Sequence, residues 1–596
     1  MFSRRTRLVL ALLAGAQAAL LFALAWTRYA LVHQRTFDLA LYARISWGLA
    51  RGDSWSPVLD THALGSHVAP ILWPLGMLGR LLGTVPVLLA AQALCLALTL
   101  FPLARIGARR LGTRGIWLAV TAGLLYPNFV HVGTYEFHPG TLAVLPMTWA
   151  FDALDRASLR QLAWSLVATL ACREDLGMFA ALIALVFFAM HGNRRALWAA
   201  GVSAVYMACA LAVVHAHAPA SDGSLDQHFG PWGGSPLGVI PTLFTDYDRV
   251  VAHFAARAKL SYLPRVLAPL SFFSLRAPRM LLPGLPYLLL NLISVFPTAH
   301  EPYSHYLTPA VPALLVSGIV GVTAVRGKFL RVLWFATLGI AHVAFGGSPL
   351  SRDFDRAAFA EDEATRAARA VLAQVPPDES VQAPYPLLPH LAERHDLRRA
   401  PPPMAGAAYV VVDVSHRARY AHKEDLLRTR EEPLVRALLA RPDHALLVYA
   451  PPYALFARDR DTRTAALGGG CLVEDAGPPR ASDVLLSDCL AVEHASHRAR
   501  TLTLTLRASG ACPADLALRV GPDAMPARVE LLCGGTFSPA LLREGDRVQW
   551  TLSLSERESA ALSDRGLWVG ALRERGDPPS PHDPRAAHIP LQTEDD

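Results

Sequence analysis

Apolar runs crowd the chain before about Phe345 and give way to mixed and alternating patterns after it. A bilayer core is crossed by roughly 17 to 25 apolar residues in a helix. Runs of that character, or close to it, lie at 8–25, 85–104, 116–130, 141–151, 162–172, 176–190, 196–214, 262–275, 281–296, 310–324 and 332–345, which predicts about eleven spans. The run at 67–82 is interrupted by Pro70, Pro74 and Gly76, so it reads as a helix lying at the membrane surface. Beyond the spans, a helical pattern at 363–373, buried-strand runs at 409–413 and 445–449 and a helix at 432–439 alternate as in a small α/β domain. From 461 onward the period becomes two, as at 501–507 and 548–554, and predicts a β-sandwich. The expected domains are 1–345 (membrane), 346–460 (α/β), 461–576 (β-sandwich) and 577–596, a Pro-rich, polar and disordered tail.

Charge orients this picture. The net charge of +7 comes mostly from arginines in short turns between apolar runs, as at Arg105, Arg109, Arg110 and Arg114. That is the positive-inside pattern, and no basic stripe interleaved with aromatics points to nucleic acid. Arg4, Arg5 and Arg7 precede the first run, which is longer than a signal-peptide core, so an uncleaved helix with a cytoplasmic N-terminus is expected. The tail then falls outside the cytoplasm, in a bacterial-type plasma membrane protein. Cys471, Cys489, Cys512 and Cys533 all fall in the β region, and an even number there predicts two disulfides, Cys471 with Cys489 and Cys512 with Cys533.

The same topology brings ionisable residues to the outer side. They are Asp38; His62 and His67; Glu136 and His138; Arg173, Glu174 and Asp175; and His300, Glu301 and His305. Such groups are costly to desolvate at a membrane boundary, so their convergence suggests a site. Each also has a plainer reading: Asp38 as a helix cap, Glu136-Phe-His138-Pro139 as a turn before a helix, and Arg173-Glu174-Asp175 as an internal ion-pair cluster. His300, Glu301 and His305 are candidate ligands for a divalent metal, although their spacing matches no ligand signature.

Five motifs carry a resemblance. Phe37-Asp38-Leu39 with Tyr42 and Trp47, His67-Val-Ala-Pro70, Glu136-Phe-His138-Pro139, Arg173-Glu174-Asp175 and Tyr303-Ser-His305-Tyr306 resemble, in order and over about residues 20 to 345, domain-of-unknown-function family two thousand and seventy-nine. Its members look like relatives of the C-type membrane glycosyltransferases. The resemblance implies a sugar delivered on a polyprenyl-phosphate carrier to an envelope glycan, lipid or protein acceptor, whose hydroxyl is activated by an acid in the first outside loop. Asp38 matches that acid, with Glu136 and His138 beside it as catalytic candidates. His67, Arg173, Glu174, Asp175, Tyr303, His305 and Arg44 are the substrate-binding candidates, with Arg173 foremost for the leaving phosphate. Where the family pattern has an acid–Gln pair after Tyr42, this chain has Ala43 and Arg44, so Asp38 lacks an acidic neighbour in sequence. The competing reading is a non-catalytic transporter or envelope scaffold whose tail binds glycan or protein. No Ser/His or HExxH arrangement supports a hydrolase.

Overall fold

A computed structural model describes residues 2–218, 224–400, 406–413, 444–450, 452–458, 465–467, 471–475, 483–498, 501–510, 512, 517–522, 528–531, 542, 544–554, 560, 562, 567–572 and 586–589. The chain forms two compact units, Met1–Ala360 and Glu361–Asp596. The first is helical. Its leading helices are α1 (Arg4–Ala30), α2 (Asp38–Leu49), α3 (Leu72–Leu82), α4 (Thr84–Leu98), α5 (Leu100–Leu125), α6 (Pro127–Thr134), α7 (Pro139–Leu142), α8 (Val144–Asp155), α9 (Leu159–Leu170), α10 (Gly177–His191) and α11 (Arg195–His217).

Six segments among the described residues are long and apolar enough to cross a bilayer: Arg4–Ala30, Thr84–Leu125, Glu174–His191, Arg195–His217, His305–Thr323 and Lys328–Phe345. The expectation of about eleven spans is therefore not confirmed. The runs at 141–151 and 162–172 end up in α8 and α9, each of 12 residues and so roughly 18 Å long, short of a bilayer core. Those at 262–275 and 281–296 are broken by prolines into Arg257–Leu267, Pro278–Leu281, Leu285–Ile293 and intervening 3-10 turns.

Thr84–Leu125 reverses on itself. Leu111 and Gly112 leave helical geometry, and Gly112 takes φ +56°, a conformation that suits glycine. The two limbs then meet at Gly107 and Gly115, where a Cβ on either would run into the carbonyl oxygen of the other, and at Gly123 against Leu100. Small residues permit such backbone approach between membrane helices. Near the reversal, buried Asp152 of α8 accepts from Arg105 at 3.1 Å, Arg109 at 2.7 Å and Gln161 at 2.9 Å, while Asp155 pairs with Arg109 and Arg110.

α2 is buried from Leu39 through Gly48. Arg44, only 1% exposed, pairs with Asp53 and lies 5.2 Å from the Trp47 ring; Gly48 leaves room for its guanidinium. α3 crosses α2 at Gly76, whose missing side chain admits the Ser46 carbonyl.

In the second unit, the helix Glu363–Leu372 is capped by Asp362, whose side chain accepts from Thr365 N, and buries Ala364, Ala367, Ala368 and Val371. The described strands include one eleven-stranded sheet. From one edge to the other its strands are Val484–Ser487, Leu490–Arg498, Thr501–Ala508, Asp546–Ser553, Cys471–Asp475, Ala465–Leu467, His444–Ala450, Tyr453–Arg458, Tyr409–Asp413, Val381–Ala383 and Leu397–Arg399. A second sheet of four strands is ordered Arg528–Leu531, Ala517–Pro522, Leu567–Leu572, Ala586–Ile589. The sheets share a core in which Leu504, Val548 and Trp550 join Leu518 and Val569. The helix expected at 432–439 lies outside the described residues, as does the expected tail apart from Ala586–Ile589.

The expected cysteine pairing is corrected. Cys489 is bonded to Cys512, which excludes both nearest-neighbour pairs. The hairpin of Leu490–Arg498 with Thr501–Ala508 sets Leu490 opposite Ala508, so the ends just beyond that pair are adjacent in space though 23 residues apart. Sequence proximity does not report that register. Cys471 starts a strand opposite Trp550, and Cys533 lies outside the described residues.

Candidate functional site

Asp38 opens α2, and a carboxylate in the first turn of a helix is favoured by the helix dipole. Its Oδ2 accepts from the Thr36 hydroxyl at 2.6 Å. His138 Nε2 lies 3.3 Å from the same oxygen, within ion-pair reach yet out of line for a hydrogen bond. Burial alone would raise the Asp38 pKa. The His138 charge and contact, His305 and the Thr36 hydroxyl outweigh it and hold the carboxyl well below its usual range. Asp38 is therefore ionised throughout physiological pH.

Aromatic rings wall the carboxylate. His138 stacks on His305 with centroids 3.9 Å apart, His305 lies 4.1 Å from Tyr306, and Tyr42 meets His138 edge-on at 5.5 Å. Burial and then the Asp38 charge raise the Tyr42 phenol, so its hydroxyl keeps its proton and remains a donor. Arg173 lies beside Gly140 at the start of α7, where a Cβ would stand 3.4 Å from its guanidinium. It grips Asp175 through two bonds of 2.5 Å.

Two further carboxylates hold the backbone in place. Glu136 accepts from the amides of Arg35 at 2.9 Å, Thr36 at 2.5 Å and Leu39 at 3.2 Å, capping α2 from about a hundred residues away. Burial, followed by the Asp38 charge, pushes Glu136 up to about 7 against the pull of those amides. Glu174 likewise accepts from the amide of Val68 at 2.9 Å and from His67 Nδ1 at 2.8 Å. Glu136 thus stands beside Asp38 in space, bonded to the backbone on either side of it.

Gln92 completes the support. Fully buried in α4, it accepts from the His138 amide at 3.1 Å and donates to the carbonyls of Val132 at 3.0 Å and Tyr135 at 3.5 Å. Neither Gln92 nor Thr36 stands among the residues expected from sequence. The signal for Gln92 was present: it is an amide within the apolar run at 85–104, where a polar side chain requires partners.

Other candidates lie apart from Asp38. Tyr303 stacks on His131 at 4.6 Å with Arg265 over its ring at 5.3 Å. Arg44 is committed to Asp53. His62 meets His217, their rings 4.9 Å apart. The three metal candidates do not converge. His300 accepts from Lys259 Nζ at 3.0 Å, and burial with the Lys259 charge holds it at about 4, whereas His305 is stacked on His138. Among the described residues no three His, Cys, Asp or Glu side chains form a metal-binding group. These residues do not fit a bound metal, and no chemistry is routed through one.

No curated protein matches the chain. Among solved structures it is similar to ArnT from Cupriavidus metallidurans bound to undecaprenyl phosphate, at 12% identity over 74% of this chain and 97% of that one, with a TM-score of 0.43. The apo form of the same protein gives 12% identity over 74% and 98%, with a TM-score of 0.37. The model of the family described as "Predicted membrane protein (DUF2079)" matches residues 28–417, well over half of the 596, and the chain belongs to that family.

Proposed function

We propose that this protein is an integral membrane glycosyltransferase that moves a sugar from a polyprenyl-phosphate carrier to an acceptor hydroxyl, with Asp38 as general base. The observation that carries the reading is the Asp38 carboxylate, kept ionised within a wall of His138, His305 and Tyr42. In the proposed step the acceptor hydroxyl gives its proton to Asp38 as its oxygen bonds to the anomeric carbon. The bond from that carbon to the carrier phosphate breaks, and the electron pair leaves on the phosphate. A low pKa makes Asp38 a weak base in isolation. It accepts the proton as the hydroxyl acidifies during attack, and holding the reactants in place supplies the remaining advantage.

Arg173 is the proposed partner of the leaving phosphate, sharing its guanidinium with Asp175, and the Tyr42 hydroxyl is a second donor near it. Glu136, Glu174 and Gln92 act as positioning residues. The carrier's isoprenoid chain would lie between the spans. The site is proposed to face away from the cytoplasm in a bacterial-type inner membrane, as is the Glu361–Asp596 unit.

Asp38→Asn keeps the shape and removes the base. In membranes where the variant inserts at wild-type levels, transfer of labelled sugar from a polyprenyl-phosphate donor should fall at least ~100-fold in kcat with little change in KM. Full transfer by that variant would overturn the reading. The scaffold alternative would instead be favoured if Asp38 and His138 tolerate substitution while removal of the chain beyond Phe345 abolishes function.

A further inference from the structure

The opposite end of the helical unit carries a second built feature. Asp152 lies 14 residues beyond His138, and Arg109 lies 17 beyond Gln92, so both stand roughly 20 to 25 Å along their helices from the Asp38 site. Around them Arg105, Arg109 and Arg110 pair with Asp152 and Asp155. Arg114, Arg156 and Arg160, in the same two turns of chain, make no ion pair among the described residues, so six arginines stand beside two aspartates, a surplus of four positive charges.

Between α8 and α9 at this end is a groove of about 350 Å³ lined by Trp149, Ser158, Arg160, Gln161, Trp164 and Ser165. Its chemistry is graded. Gln161 donates to Asp152 at 2.9 Å and to the Trp149 carbonyl at 3.3 Å and accepts from Arg156 at 3.3 Å, and Arg105 lies 5.2 Å from the Trp149 ring. Arg160 is exposed at the mouth and makes no ion pair among the described residues. Trp164 is 68% exposed on the flank of α9 that continues into the apolar run. Indole belongs at the level of lipid headgroups, and guanidinium is suited to phosphate.

We propose that this groove binds the headgroup of an anionic phospholipid: Arg160 and the surplus arginines take the phosphate, Ser158 and Gln161 take headgroup hydroxyls, and Trp164 packs on the glycerol and upper acyl chain. A surplus of charge beside indole selects an anionic lipid over a zwitterionic one, because a choline would bring its own cation among uncompensated arginines. The site is distinct from the proposed sugar-transfer centre and does not depend on that reading.

Native mass spectrometry of the full-length protein in detergent tests it, with phosphatidylglycerol and phosphatidylcholine of matched acyl chains. Wild type should retain at least about five-fold more phosphatidylglycerol. Arg160→Glu and Trp164→Ala, both at exposed positions, should each reduce that to the phosphatidylcholine level while Arg5→Glu does not. Thermal unfolding without added lipid should match wild type for all three, which separates lost binding from lost fold. Equal retention of the two lipids, or unchanged retention in both groove variants, would overturn the proposal. Displacement of the lipid by millimolar glycerol phosphate would overturn it as well, by making the site one for a soluble anion.

Discussion

Asp38 and Glu136 divide two tasks between carboxylates that sequence alone does not distinguish. Asp38 sets an oxygen against His138 and the Thr36 hydroxyl, and Glu136 spends both oxygens on backbone amides. Protonating Glu136 turns an acceptor into a donor among amides that can only donate, so activity should decline as pH falls below about 7. Glu136→Gln should lower activity yet flatten that decline, as a pH profile of kcat would show; an unchanged profile would assign the limb elsewhere. Stability moves oppositely. The folded-state pKa of Glu136 is raised from 4.5 to about 7, so its stabilising share is complete below about pH 4.5 and is lost as pH rises through 7. Thermal unfolding between pH 5 and 8 should show that loss in wild type and not in Glu136→Gln. Gln92→Leu would leave the His138 amide and two carbonyls without their side-chain partner, costing roughly 1–3 kcal/mol. As candidates, Asp38, Glu136, His138 and Arg173 stood out in the sequence because charge is conspicuous beside apolar runs; that Glu136 bonds amides about a hundred residues away was not legible there.

Secondary structure was most readable where one physical requirement dominated. Long apolar runs gave α1, α10 and α11 nearly whole, and the Arg-rich break at 105–114 marked the reversal within Thr84–Leu125. The expected span count is not confirmed because several of its runs fall in short or proline-broken helices among the described residues. Contact between Gly107 and Gly115 gives the hairpin a test. Gly115→Leu should force the limbs apart and destabilise the protein by roughly 1–3 kcal/mol, read as a lower melting temperature in detergent, while Gly201→Leu, in open surroundings on α11, should be near neutral. In the second unit, replacing both Cys489 and Cys512 with serine opens a 23-residue loop and should cost ~3 kcal/mol under oxidising conditions. The period-two strands were legible; their order across the sheet was not, because alternation fixes faces and leaves partners undetermined.

The helical unit carries Asp38, Glu136 and His138 about the start of α2 and the Arg105–Arg114 cluster, with Asp152 and Asp155, about the α5 reversal. If the arginine end faces the cytoplasm, a cysteine at Arg35 should react with an impermeant thiol reagent in intact spheroplasts, and one at Arg114 only after lysis. The reverse labelling would invert the proposed orientation. The span between Thr36 and Glu136 also bears on biosynthesis. At about 5 to 20 residues per second, a ribosome needs roughly 5 to 20 s to add the hundred residues separating the two. During that interval the amides of Arg35, Thr36 and Leu39 lack their carboxylate, and a nascent α2 cannot enter lipid with those donors unmet. Water or the insertion machinery must hold the segment until Glu136 emerges, so α2 is expected to settle after α4 and α5 although it is translated before them.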